Sequence, residues 1–496
     1  MNVRLKKCSE SLLIFDDIRI VLSSKPVITI LAISAFVRML FYFLILPYGP
    51  SEFGPDEATY SSLAKYVSQG LPVNVFPVFG SDLYESAKSL VLPSALLIQL
   101  GTGELNAVRL VSSTYGLASS LVLALCFLSF MQWRSQNFQE MNSLFDRKFL
   151  ALFSVFTFFP SNFLWSIIGL RESASQFWLI TSFYLILKLL NSAKKDVWKL
   201  IALFAIALTL AHGARPETAL VFSLAVLLFS VVIILKFRNF FPLIATFIGV
   251  FTGQAFTASS QILTEESFIL SEVILPTIND VETNTDVISS HFVNDELDKA
   301  LCARDNLIIV VDGREYLCKF KQNVQEIKPS ALEQLGSMVM SVRSFETRRN
   351  VNALDSKSNL PISNCQSSST EILILIKCNL LELPDRLFAF LFRPLILFDQ
   401  GTPTLTFAAL ENLGWVILIS LSILVSLRRR ENNVDRLTNL GLISYVLLFA
   451  SSAALYEGNL GTAFRHKSTI LWPIIFILMI TPSFLPKLRR KIDSAS

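Results

Sequence analysis

Long apolar runs recur along the chain, and they constrain its fold more than any other feature. A helix that crosses a bilayer needs about 20 mostly apolar residues. Of the 496 residues, 52% are hydrophobic and only 17% are charged. The sequence therefore predicts an all-α multi-pass membrane protein with about ten transmembrane helices. The predicted spans are residues 26–48, 105–131, 148–165, 172–191, 199–214, 217–236, 239–258, 403–427, 437–456 and 468–486.

Basic residues follow every second predicted span, and they indicate the orientation of the chain. Cytoplasmic loops of membrane proteins carry an excess of Lys and Arg. We therefore predict that both termini are cytoplasmic, as an amphipathic tail at 1–25 and a basic tail at 487–496. The basic residues are Arg134, Arg147, Lys148, Lys194, Lys195, Lys236, Arg238, Arg428, Arg429, Arg430, Arg436, Lys487, Arg489, Arg490 and Lys491.

The first seven predicted spans lie within residues 26–258. A long first outer loop, at 49–104, connects the first span to the second. Its segment from Leu90 to Leu100 is apolar but too short to cross a bilayer. We expect this segment to lie in the interface or to re-enter the membrane.

A polar insertion at 259–383 separates these spans from the last three, at 403–486. The apolar run from Leu307 to Val311 predicts a buried strand, so the insertion is expected to form a small extracytoplasmic α+β domain. Residues 384–402 are expected to form an interfacial helix that leads into the eighth span.

Four of the six cysteines fall in this insertion: Cys302, Cys318, Cys365 and Cys378. On an oxidising outer face they predict one or two disulfides, whose pairing the sequence leaves open. A zinc site is the alternative, with His291 as the nearby imidazole.

Ionisable residues gather at the outer ends of the predicted spans. Such charges are costly in a bilayer and mark functional sites. Carboxylates mixed with cations favour a site that binds an anionic group and also handles a proton. These residues are Asp56, Glu57, Arg109, Arg171, Glu172, His212, Arg215, Glu217, Arg465, His466 and Lys467. Tyr60 lies one turn after Asp56 on the short helix predicted for Asp56–Ser68.

Structural roles compete with this interpretation. The segment Pro55–Glu57 has the composition of a helix start, where the dipole stabilises anions. Arg171–Glu172 and Arg215–Glu217 could be local charge pairs at helix starts. The cations at Arg465–Lys467 could snorkel to the interface, although the positive-inside rule disfavours them on the outer face.

A family resemblance rests on the order of the polar residues. Arg38 lies within the first span, Pro55–Glu57 and Tyr60 follow that span, and Asn106–Leu110 opens the second. This arrangement resembles the GT-C superfamily of integral-membrane glycosyltransferases, especially the branch of protein O-mannosyltransferases and lipid A aminoarabinose transferases. The resemblance is clearest over residues 26–220. It implies a GT-C-like fold and transfer of a sugar from a polyprenyl phosphate on the outer or lumenal face.

The resemblance also implies roles for the site residues. Asp56 would be the general base on the acceptor, Glu57 would support it, and Glu172 would assist as a second acidic position. The cations of the last outer loop, at Arg465–Lys467, would bind the leaving phosphate. We expect Arg171 and Arg215, from other loops, to bind it as well. The expected phosphate ligands are Arg171, Arg215, Arg465, His466 and Lys467, and the expected substrate contacts are Tyr60, Arg109, His212 and Glu217.

The expected partners are a polyprenyl-phosphate sugar, the lipid bilayer and a glycan, lipid or protein acceptor, in a bacterial plasma membrane. The charge pattern does not indicate nucleic acid. No sequence pattern requires a cofactor, and a divalent cation stays open. Two other functions also stay open: an outer-face polysaccharide polymerase or ligase that relies on arginines, and a transporter or flippase of lipid-linked sugars.

The predicted orientation has a direct test. Because the basic loops place the C-terminus in the cytoplasm, a reporter fused after Ser496 should be active if it works only in the cytoplasm. A reporter that works only in the periplasm or lumen should be silent there. The opposite pattern would overturn the orientation.

Overall fold

Helices make up nearly all of the chain that the computed structural model describes, which is residues 13–45, 55–71, 73, 80–134, 145–191, 196–270, 307–311, 314–318, 372–395, 403–427, 433–456 and 460–481. The helices are α1 (Leu13–Ser23), α2 (Lys25–Leu40), α3 (Pro55–Ser68), α4 (Gly80–Glu85), α5 (Lys88–Gln99), α6 (Glu104–Arg134), α7 (Arg147–Phe158), α8 (Pro160–Ile167), α9 (Arg171–Asn191), α10 (Val197–His212), α11 (Pro216–Phe237), α12 (Phe241–Leu270), α13 (Ile372–Phe392), α14 (Pro403–Ser426), α15 (Asn433–Tyr456), α16 (Leu460–Lys467) and α17 (Leu471–Ile480). A π-helical turn, Phe41–Ile45, continues α2, and a 3-10 turn, Ser468–Ile470, joins α16 to α17. Two strands, β1 (Leu307–Val311) and β2 (Arg314–Cys318), pair antiparallel.

Seven helical segments of the described chain are long and apolar enough to cross a membrane, or eight if the bent pair of α7 and α8 counts as one span. Large apolar side chains such as Phe36, Leu224 and Ile417 are exposed along them. A surface of this kind suits contact with lipid. The protein is therefore a multi-pass helical membrane protein. The seven segments are Lys25–Phe43, Glu104–Arg134, Arg171–Asn191, Pro216–Phe237, Thr406–Ser426, Val434–Leu455 and Ala463–Ile480.

The predicted third span, 148–165, is not one straight helix. The chain bends by 45° between α7 and α8. Pro160 has no amide hydrogen to continue the helix, and it favours an extended residue before it. Phe159 has that conformation, with a ψ of 126°.

The predicted fifth and seventh spans are helical but short. α10 has 16 residues, and the apolar part of α12 is Phe241–Phe256. Both fall below the length of the other spans, so the prediction of ten full spans is not confirmed.

Small residues let α10 and α12 pack closely. A Cβ atom added to Gly249 would lie 2.7 Å from Leu208 Cδ2, and one added to Gly253 would lie 2.4 Å from His212 Cδ2. Two glycines four residues apart on one face permit this approach in membrane helices. The hydroxyls of Thr209 and Thr252 also hydrogen-bond across the contact, at 2.8 Å.

A second, smaller core joins α3 and α5 to the start of α6 and to the turn between α8 and α9. It contains Tyr60, Leu63, Leu90, Val91 and Val108. α5 coincides with the apolar segment that is too short to span. Its opposite face exposes the stripe Leu92, Leu96 and Leu100.

The helices on both sides of the insertion extend beyond their predicted ends. α12 continues to Leu270 and α13 begins at Ile372, so both enter the predicted insertion at 259–383. Of the predicted interfacial helix at 384–402, residues 384–392 form the last part of α13, and residues 396–402 lie outside the described residues. β1 coincides with the predicted strand Leu307–Val311, whereas β2 was not predicted. The rest of the insertion, the side chains of its four cysteines and both terminal tails beyond 13–481 lie outside the described residues, so the α+β domain and the disulfides stay predictions.

At the opposite end of the bundle, α1 is tied to the spans by buried polar contacts. Asp17 accepts a hydrogen bond from the Tyr184 hydroxyl at 2.7 Å and from Gln132 Nε2 at 3.1 Å, and it forms an ion pair with Lys188. The predicted amphipathic tail is therefore helical and docked between residues 13 and 23.

The α10–α12 contact predicts a large effect of one methyl group. Gly253→Ala should destabilise the protein by about 1–3 kcal/mol, because the new Cβ overlaps the His212 ring. Gly414→Ala is the matched control, since its Cβ would meet Phe159 at an ordinary 3.4 Å. It should be neutral or stabilising by up to about 1 kcal/mol. Thermal unfolding in detergent measures both, and equal effects would contradict the close packing.

Candidate active site

The two carboxylates at the start of α3 lie in different surroundings. Asp56 and Glu57 both lie in the first helical turn. Successive residues of a helix point about 100° apart. Glu57 is 0% exposed, whereas the Asp56 side chain is 40% exposed.

Glu57 is held by Arg109 of α6. Arg109 Nε lies 2.5 Å from Glu57 Oε1, and Nη2 donates to Oε2 at 3.1 Å. Gly169 fits against this pair with a φ of +72°, and a Cβ there would lie 3.0 Å from Val108 Cγ1. The bidentate pair fixes α3 on α6. It accounts for Arg109 as a support of the motif, not as a group open to substrate.

Arg465 of α16 connects Asp56 with Glu172. Its Nη1 donates to Asp56 Oδ2, and its Nε lies 3.0 Å from Glu172 Oε1. Residues more than 400 positions apart in sequence thus meet at one guanidinium group.

Arg215 completes the cluster from the start of α11. Its Nη1 lies 3.4 Å from Glu172 Oε1, and its Nη2 contacts the imidazole of His466. Arg215 stays protonated in proteins, so the contacted ring nitrogen of His466 acts as the acceptor. The imidazole of His466 is therefore neutral. It orients Arg215 without adding a positive charge to the cluster.

Arg171 lies on the other side of Glu172. Its Nη1 donates to the Ser86 hydroxyl at 2.6 Å and to the Ser86 carbonyl at 3.0 Å. These bonds anchor Arg171 to the turn between α4 and α5. Ser86 was not predicted, and no sequence signal distinguishes it from the other serines.

Tyr60 lies buried among these charges, 3% exposed and within electrostatic reach of Asp56, Arg171, Glu172 and Arg465. Burial raises the pKa of Tyr60 above its usual value. The hydroxyl therefore stays protonated at neutral pH and can donate a hydrogen bond.

Several polar atoms of the site have no hydrogen-bond partner within the described chain. They are Arg171 Nε, Arg215 Nε and Glu172 Oε2. Buried polar groups are normally hydrogen-bonded. Three guanidinium groups converge with the carboxylates of Asp56 and Glu172, and the exposed Glu217 lies within electrostatic reach of Arg171. The arrangement suits an anion that accepts hydrogen bonds.

His212 and Glu217 flank the cluster. His212 is buried against Gly253, and neither ring nitrogen has a hydrogen-bond partner among the described residues. Glu217 is exposed at the start of α11. Neither residue contacts Asp56 through a hydrogen bond or ion pair that the structure describes.

Lys467 is directed away from this cluster. Its Nζ donates to Asn412 Oδ1 at 2.8 Å and to the Arg393 carbonyl at 3.0 Å. Because residues two positions apart on a helix diverge by about 200°, it cannot share the direction of Arg465. Sequence reasoning missed Glu411 and Asn412, although an acidic residue inside the predicted eighth span was itself a signal.

The comparisons with known proteins identify no relative. No protein-family model matches the chain, and no curated protein matches its sequence. Within the described residues, no group of three or more His, Cys, Asp or Glu side chains has the arrangement of a metal site. The geometry of the cluster therefore carries the functional argument.

The surroundings of Glu57 predict a stability effect. Glu57→Gln removes the charge opposite buried Arg109 and should cost about 3–5 kcal/mol. Glu104→Gln is the matched control, because Glu104 is 41% exposed and lies 2.7 Å from Lys65. A surface pair of that kind contributes about 0–1 kcal/mol. Similar losses for both variants in thermal unfolding would contradict the structural role of Glu57.

Proposed function

We propose that the protein is a GT-C-like membrane glycosyltransferase that moves a sugar from a polyprenyl phosphate to an acceptor on the outer face. One observation carries the proposal: a partly exposed carboxylate, Asp56, stands beside three converging arginines, of which Arg171 and Arg215 each have an Nε without a hydrogen-bond partner in the described chain. The first group suits a base, and the second suits a leaving phosphate.

In the proposed reaction, Asp56 accepts the proton of an acceptor hydroxyl. The hydroxyl oxygen bonds to the anomeric carbon while the bond from that carbon to the phosphate oxygen breaks. Direct displacement of this kind inverts the anomeric centre. The polyprenyl phosphate leaves as an anion.

The arginines supply what the leaving group requires. Charge-assisted hydrogen bonds to phosphate are about twice as strong as neutral ones, and preorganised donors stabilise charge that develops in a transition state. Arg465, Arg215 and Arg171 are held in place by Glu172, His466 and Ser86 respectively, among other contacts. Glu172 thus assists by orientation, and it need not exchange a proton.

A transporter or flippase has less support. An aromatic layer lies beneath the cluster, with the Trp472 ring 5.8 Å from Tyr445 and 5.2 Å from Phe183. Along α9, the segment Phe177–Phe183 has no ionisable side chain before Lys188 near the other end. Along α9, the described charges therefore form two separate groups, one around Glu172 and one around Lys188.

An arginine-based polymerase or ligase is the second candidate. The convergence of Arg171, Arg215 and Arg465 favours it, and such an enzyme also takes a lipid-linked donor. The two candidates differ in whether a carboxylate base is needed.

The setting of the reaction is also part of the proposal. We place the cluster at the outer face of a bacterial plasma membrane. In this arrangement α10, α12 and the α7–α8 pair also cross the membrane. The acceptor is a glycan, a lipid or a protein.

Asp56→Asn tests the proposal. The purified protein is assayed with a panel of polyprenyl-phosphate sugars. The variant keeps the shape of the side chain but removes the base, so turnover should fall by about 10²–10⁴-fold while the protein stays folded. Glu104→Gln, a carboxylate exposed at the start of α6, should leave turnover near that of the wild type.

Near-normal turnover of Asp56→Asn would reject the base and favour the arginine-based polymerase or ligase. The absence of transfer by the wild-type protein from every donor in the panel would reject both enzymes.

A further inference from the structure

Lys467 is the most deeply buried cation next to the site, and its contacts differ from those of its neighbours. Its side chain is 0% exposed. Its Nζ lies 5.9 Å from the centre of the Trp415 ring and 5.7 Å from that of Phe464, in addition to its bonds to Asn412 and the Arg393 carbonyl.

The burial of this ammonium group implies that its direction is fixed. A buried cation costs several kcal/mol unless it is hydrogen-bonded and compensated. Two oxygen acceptors and two aromatic faces surround its Nζ. Another direction would lose these contacts, so Lys467 is held against α14 and the end of α13.

Three consecutive side chains of α16 therefore point at three different parts of the fold. Arg465 contacts Asp56 and Glu172, His466 contacts Arg215, and Lys467 contacts Asn412. α16 has eight residues and continues through the turn Ser468–Ile470 into α17. Lys467 is its last residue, two positions from Arg465, so the fixed Lys467 side chain helps to hold this end of α16 in the rotation that directs Arg465 at Asp56.

We propose that Lys467 is a positioning residue that places Arg465 on Asp56, and not a ligand of the donor phosphate. Its effect on turnover rests on the proposed function, whereas its effect on the Asp56–Arg465 contact does not.

The contact is tested by a double-mutant cycle on thermal unfolding. With Lys467 present, the losses of Tm from Asp56→Asn and Arg465→Ala should be non-additive, because the two residues interact directly. In the Lys467→Met background, the two losses should become additive. Unchanged non-additivity in that background would overturn the proposal.

Two further variants make this cycle decisive. Lys188→Met removes another buried lysine, far along α9 from α16, and the Asp56–Arg465 non-additivity should survive it. If Lys467→Met does not fold, Asn412→Leu replaces it, because that change removes the acceptor of Lys467 at similar volume. The same loss of non-additivity is expected, and its persistence in Asn412→Leu would reject the positioning role.

Turnover gives a second readout. Lys467→Met should lower transfer by about 10²-fold, the scale expected when a reacting group is misplaced. In the Arg465→Ala background, it should lower transfer no further. If the double variant instead loses turnover by the product of the two single-variant factors, Lys467 acts on the phosphate directly and the proposal is rejected. If the wild-type protein transfers no sugar, the proposed function fails, while the Tm cycle still decides the role of Lys467.

Discussion

The arrangement of the site depends on one guanidinium group, that of Arg465. It binds Asp56 and lies against Glu172, so it joins the start of α3, the start of α9 and the short helix α16. In a bundle surrounded by lipid, a buried charge without a partner is costly. The same requirement that brings these segments together also concentrates three arginines and two carboxylates in one place.

Neighbouring residues in this site have separate tasks because helix geometry separates them. Glu57 points inward to Arg109 and supports the fold, while Asp56 points to the partly open side. Arg465 and Lys467 diverge in the same way on α16. The acidic pair Asp56–Glu57 and the basic triplet Arg465–Lys467 are each continuous in sequence. In the fold, the members of each motif contact different partners.

Sequence reasoning predicted the helices and the site at different levels of detail. Hydropathy located each described helix that could span, yet it began the last span at residue 468, whereas the structure begins that segment at Ala463. It also averaged over Pro160, where the helix breaks, and it ended α12 too early. Charges at helix ends correctly indicated that Asp56, Glu172, Arg215 and Arg465 belong together. The choice of partner depends on helix rotation and tertiary packing, which hydropathy does not encode.

The separation of buried charges along α9 supports the proposed enzyme over a transporter. Glu172 belongs to the cluster around Arg465 and Lys188 to the group around Asp17, and the aromatic side chains of Phe177 and Phe183 lie between them. A transport path for ions or sugars needs polar groups through the full depth of the membrane, since a charged or polar group without a partner in the hydrocarbon region costs free energy. An enzyme that works at one surface needs them only there. The second buried group docks α1 to the bundle, so it has a structural task of its own and requires no connection to the first.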